Sequence, residues 1–146
     1  MTTATTWRPP QRLSAARKAR LAAEILLAYA RVRWTLARGD LRSTVEKLRS
    51  TRGKRADAAR MGQSTYQEGL RLGWAVTRTL SKLPSDSRCL MQSLVLTRLL
   101  SERGIDSSLV IAVKPEPEFE AHAFVEHQGD ALLTPGSDDY RRLFEI

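Results

Sequence analysis

The chain has 146 residues, 42% of them hydrophobic, which is ordinary single-domain size with enough apolar side chain for a real core. That composition excludes wholesale disorder, and one cysteine with two histidines excludes an internal disulfide and a cysteine–histidine zinc cluster. No apolar run is long enough to span a bilayer and the N-terminus lacks the apolar centre of a signal peptide, so a cytoplasmic setting is expected, where a lone thiol stays available for chemistry.

The net charge of +8 is unevenly spread. Residues 1–80 carry 17 Lys/Arg against five acids, a net of +12, whereas residues 81–146 carry seven against 11, a net of −4. The first half is thus suited to nucleic acid, an acidic peptide or an acidic partner protein, or is simply a solvated arginine-rich surface.

Residues 1–13 read as a flexible arm, with Pro9-Pro10 blocking any helix before them. Residues 14–146 read as one domain, a helical layer over 14–84 followed by the cysteine-bearing helix and an antiparallel sheet over 85–146. Ser14 is placed to cap a long helix to Arg38, whose Leu21, Ile25, Ala28, Val32 and Leu36 form one apolar stripe. Gly39-Asp40 ends it, and a shorter helix is expected around Ser43–Arg49. Ser50–Arg55 reads as a polar loop with the densest positive charge in the chain. Ser64 with Gln67 and Thr65 with Glu68 form overlapping capping boxes for a helix reaching Leu80, before Pro84. On it, Tyr66 and Trp74 at helical spacing read as core rather than as a base-stacking platform.

The next helix starts at Cys89 and runs to about Glu102, with Gly104 as its C′ residue. Leu90, Met91, Leu94, Val95, Leu96, Leu99 and Leu100 cover most of its circumference, so it must be central. Its first turn differs: Cys89, Gln92 and Ser93 share one small, polar face. Ser107–Val113 is rich in β-branched residues and reads as a strand buried on both faces. After the proline-broken loop Lys114–Glu118 come a strand over Ala121–His127, a turn at Gln128-Gly129 and a returning strand over Ala131–Thr134. The tail from Ser137 reads as a short helix docking Tyr140, Leu143 and Phe144.

Ser85-Asp86-Ser87-Arg88 leads into Cys89 at a helix start, where unpaired N–H groups and the helix dipole attract negative charge. That setting suits a nucleophile; the bland alternative is a buried small hydrophobe. His122 stands on a strand between Ala121 and Ala123, small neighbours that leave room for another element to approach. It is the candidate base, taking the thiol proton and returning it to a leaving amine; the alternative is a half-buried histidine satisfied by a backbone carbonyl. His127 has the opposite parity and reads as surface.

For a third residue orienting the imidazole, a three-residue loop at 128–130 makes residue 122 face 136, with 134 and 138 diagonally beside it. Asp130 then sits at the far end of the hairpin, roughly 20 Å away. Thr134 has the position but not the chemistry for stabilising an imidazolium, while Asp138, or its neighbour Asp139, has the chemistry. Gln92, Ser93 and backbone N–H groups near Cys89 are the candidate oxyanion donors.

Cys89-Leu90 entering an apolar helix, Arg103-Gly104-Ile105 closing it, Leu109–Val113, and Phe119-Glu120-Ala121-His122-Ala123-Phe124-Val125-Glu126 together resemble the leader peptidases of lasso peptide biosynthesis. Those are bacterial cysteine proteases of the microcin-maturation group. The resemblance covers about residues 70–146 and implies an α+β, transglutaminase-like (papain-like) fold. It implies Cys89 as nucleophile and His122 as base, no cofactor, and removal of the leader from a ribosomally made precursor. The family usually supplies an aspartate from the strand after the histidine; here Thr134 stands about there, and Asp138 is the replacement. Relatives that carry a leader-binding winged-helix module are longer, so a separate leader-recognition protein is the implied partner beside the precursor peptide, with the lasso cyclase a further candidate and no membrane. Acyl transfer to an amine, or a non-catalytic basic module for nucleic acid or an acidic partner, are the alternatives.

Overall fold

Ser14 caps the first helix as its position predicts, its hydroxyl accepting the Arg17 N–H at 3.4 Å. In this computed structural model, which describes residues 14–50, 63–83, 88–135 and 138–146, that helix is α1 (Ala15–Arg38). Ile25, Ala28 and Val32 are buried, with Leu21 and Leu36 packed beside them. The second helix, α2 (Leu41–Ser50), starts two residues earlier than expected. Asp40 both follows α1 and caps α2, accepting from the Ser43 N–H and hydroxyl. The arm at 1–13, the basic run at 51–55 and the lead-in at 85–87 lie outside the described residues.

The third helix, α3 (Gln63–Leu80), opens just before the capping residues expected for it. Its buried line runs Gly69, Leu72, Gly73, Val76 and Leu80. Tyr66 is half-buried against the core, but Trp74 is not core: it is 41% exposed, with the Arg78 guanidinium 5.1 Å from its ring centroid. The glycines explain the difference, because the closest packing follows Gly69 and Gly73 and turns Trp74 outward.

The fourth helix, α4 (Arg88–Glu102), is central, touching α1, α2, α3 and two strands. Met91, Leu94, Val95, Leu96, Leu99 and Leu100 are all buried. A four-stranded antiparallel sheet follows, built from β1 (Ser108–Lys114), β2 (Glu120–His127), β3 (Asp130–Ala131) and β4 (Arg141–Glu145) in the order β3-β2-β1-β4. Leu109, Ala123 and Val125 join the helical core, while Val110, Ala112 and Phe124 form a second cluster on the opposite face. No helix among the described residues is long and apolar enough to cross a membrane.

Three expectations change here. The tail forms strand β4, not a helix, because central β1 has a second edge whose N–H and C=O groups need partners. Only Tyr140 docks, since Leu143 and Phe144 are exposed. The hairpin turns at Gln128 (φ 51°) and Gly129 (φ 84°) as expected, but not through the three-residue loop used to place residues beside His122: Glu126 lies opposite Ala131 and His127 opposite Asp130, one residue away from that register. His127 is buried, not at the surface, and its Nδ1–H donates to the Asp106 carbonyl at 2.6 Å.

Strand β3 is also shorter than expected. Once the Leu132 N–H has bonded the Val125 carbonyl at 2.8 Å, the chain leaves the ladder, and Leu132 packs on Gly69 and Gly73 of α3. The chain between β3 and β4, on opposite sheet edges, lays Leu133 and Tyr140 on the second cluster, over the face away from the helical core.

Candidate active site

Cys89 is the second residue of α4, half-buried and free, in the first turn as expected. The Ser93 hydroxyl, one turn on, donates to the Cys89 carbonyl at 2.8 Å. Ser93 is fully buried, so its O–H is committed to the helix and it is not an oxyanion donor. Gln92 is half-buried on the same turn and keeps its amide available among the described bonds.

Helix and strand lengths bring His122 to the cysteine end. Fifteen residues of α4 span about 22 Å, and a short turn sends β1 back over about 23 Å. The end of β1, and with it the start of β2 beside it, therefore returns to the N-terminus of α4. His122 lies opposite Ala112, on the face that Leu133 and Tyr140 cover.

There the His122 Nε2 meets the Thr134 backbone carbonyl at 2.6 Å. A carbonyl only accepts, so Nε2 carries the hydrogen and Nδ1 of the neutral ring is the unprotonated nitrogen. Phe124 stacks at 6.1 Å on one side, and the Tyr140 ring stands 5.6 Å away, tilted by 50°. Position 134 beside His122 agrees with the sequence reading, but the chemistry comes from the main chain instead of the side chain.

Tyr140 packs beside this ring. Its hydroxyl donates to Glu120 at 2.6 Å, and this bond, partial desolvation and the charges of Glu120 and Cys89 push the phenol above its ordinary range. Glu120, Tyr140 and the His122 imidazole thus form one cluster on this face of the sheet. Sequence reasoning gave Tyr140 only a docking role and Glu120 no role beyond its place in the His122 segment; the alternation that puts Glu120 and His122 on one strand face was the available signal. Asp138 and Asp139 stand exposed in the turn before Tyr140, and no hydrogen bond or ion pair among the described residues joins either to His122. Asp130 is paired with His127 at the hairpin end, away from the site. Among the described residues, no group of three His, Cys, Asp or Glu is placed to hold a metal ion.

The chain is matched by the model of one family, described as the transglutaminase-like superfamily, over residues 21–146. The chain belongs to the transglutaminase-like superfamily. Comparisons with curated proteins and with solved structures returned no match. Membership of the transglutaminase-like superfamily accounts for the helices before Cys89 as well as the sheet, since the match begins at Leu21 within α1. A transglutaminase-like site needs a nucleophile, a base and something to hold the base. In this chain the described contact on His122 Nε2 is a backbone carbonyl.

Proposed function

We propose that the protein is a cysteine peptidase that removes the leader from a ribosomally synthesised lasso precursor peptide. The observation that carries the catalytic part is the His122 ring, with Nε2–H spent on the Thr134 carbonyl and Nδ1 left as the proton acceptor. The carbonyl contact alone would also suit a structural histidine, and the family match is what favours the catalytic reading. The lasso part is supported by the resemblance of the Cys89, Arg103–Ile105 and Phe119–Glu126 segments.

In the proposed reaction the Cys89 sulfur attacks the scissile carbonyl carbon and its proton passes to His122 Nδ1. The C–N bond breaks, the amine takes that proton, and a thioester remains. Water then attacks the thioester and gives a proton to Nδ1. The C–S bond breaks, the leader departs with a free carboxylate, and the proton returns to sulfur. Backbone N–H groups at the start of α4 and Gln92 are the available oxyanion donors. Thr134, through its carbonyl, fixes the ring; Asp138 keeps a place in the proposal only as a group that approaches when substrate binds.

A separate leader-recognition protein is the proposed partner, met by the basic helical layer. On α1, Leu27 and Trp34 are 53% and 62% exposed, and the Arg38 guanidinium lies 3.8 Å over the Trp34 ring. Arg31 falls on the same side by helical spacing, so an apolar and cationic stripe faces outward, suited to an acidic amphipathic surface.

The test is incubation of precursor, partner and enzyme, with wild type set against Cys89→Ala. The wild type should release a leader ending in a free carboxylate, and Cys89→Ala should lose on the order of 10⁴-fold or more in rate. Full leader removal by Cys89→Ala would overturn the reading. Capture of the acyl group by an added amine in preference to water would move the assignment to acyl transfer.

A further inference from the structure

Gly73 lies on α3, remote in sequence from Cys89, His122 and Thr134, yet a Cβ built on it would stand 2.4 Å from the Leu132 carbonyl oxygen. Ordinary contact needs about an ångström more, so any side chain at 73 must displace something. Gly69, one turn earlier, is different: a Cβ there meets side chain alone, crowding the tips of Leu132 at 2.9 and 3.0 Å. Those tips can rotate away, whereas the carbonyl at Gly73 is main chain.

Leu132 is held on three sides. Its N–H donates to Val125 on β2, its side chain is buried against Gly69, and its carbonyl abuts Gly73. Two residues further on, the Thr134 carbonyl accepts from His122 Nε2. Two residues of chain reach at most about 7 Å, so a forced shift of the Leu132 carbonyl has little length in which to dissipate before Thr134. A 2.6 Å hydrogen bond does not survive a displacement of about an ångström.

We infer that Gly73 is a positioning residue for His122: its missing side chain lets the Leu132–Thr134 run sit on α3, and that run sets the tautomer and orientation of the imidazole. The inference rests on His122 being the base of the proposed peptidase. Its role is not helix formation, because glycine is the poorer helix former and alanine at 73 favours α3. A loss caused by Gly73→Ala therefore comes from the contact and not from a weakened helix.

The experiment records the ¹⁵N–¹H spectrum of the His122 ring in the full chain, without substrate, for wild type, Gly73→Ala and Gly69→Ala. Wild type should show the Nε2–H tautomer, Gly73→Ala a mixture of tautomers, and Gly69→Ala the wild-type pattern. With precursor and partner added, Gly73→Ala should lose at least tenfold in kcat with KM within threefold, and Gly69→Ala should stay within threefold in both. A wild-type ring in the Nδ1–H form overturns the inference, as does a folded Gly73→Ala with wild-type tautomer and kcat. If Gly73→Ala fails to fold by circular dichroism, Leu132→Ala takes its place, since it frees the same run from α3. A tautomer mixture then supports the inference and an unchanged ring overturns it. The spectra need no activity, so a peptidase reading that fails on Cys89→Ala leaves the tautomer result standing on its own.

Discussion

At the scale of single residues, Tyr140 has a pH signature that can be worked out. Its hydroxyl donates to Glu120, and its pKa in the folded chain lies above the ordinary 10.0. A group whose folded value is raised holds its proton longer in the native state than in the unfolded one. Its stabilising share is therefore complete below pH 10 and is lost as pH rises through the folded value. Tyr140→Phe removes that loss, so its urea midpoint should fall less steeply with pH than wild type above about pH 10; equal slopes would show that the Glu120 bond does not matter in solution. Asp138 has a kinetic test instead. The Thr134 carbonyl already holds the ring, so Asp138→Asn should keep kcat within about threefold of wild type. A hundredfold loss would make Asp138 the third member after all. A backbone carbonyl satisfying a half-buried His122 was one of the two sequence readings, but that the carbonyl is Thr134's and that it rests on Gly73 were not legible, because a main-chain oxygen is the same at every position and only tertiary packing aims it.

Among the elements, α4 bears the most weight. Leu96 has no solvent exposure, in a helix packed by three other helices and the sheet. Leu96→Ala should cost about 2–5 kcal/mol of unfolding free energy, read from the urea midpoint at unchanged slope; a loss under 1 kcal/mol would mean that α4 is less enclosed than its contacts show. This helix was legible because nearly every side of it is apolar, and α1 because its stripe has one face. Strand β1 was legible for the same reason, being β-branched on both faces. The tail was misread because Tyr140, Leu143 and Phe144 have spacings that suit a helix, while the deciding partner, the open edge of β1, lies some thirty residues earlier. Trp74 was misread because aromatic spacing outweighed two glycines whose role depends on Leu132, a residue about sixty positions away.

For the whole molecule, charge and fold divide the work. The basic layer stands on the helices, and His122 with Tyr140 and Glu120 stands on the sheet face away from the helical core. If α1 docks an acidic partner, Arg31→Glu with Arg38→Glu should lower partner-dependent cleavage at least tenfold in the ratio kcat/KM and weaken partner binding in a salt-dependent way. The same variant should keep the wild-type urea midpoint, since both side chains are exposed; unchanged kcat/KM would remove α1 from the interface. The sequence by itself determined the α+β class, the helix and strand that bear Cys89 and His122, and the charge asymmetry, because periodicity, capping and composition are local properties. Only the tertiary structure decided what holds the imidazole. That contact joins β2 to the main chain after β3 and rests on a glycine of α3, and no local pattern encodes where three distant segments of backbone come to touch.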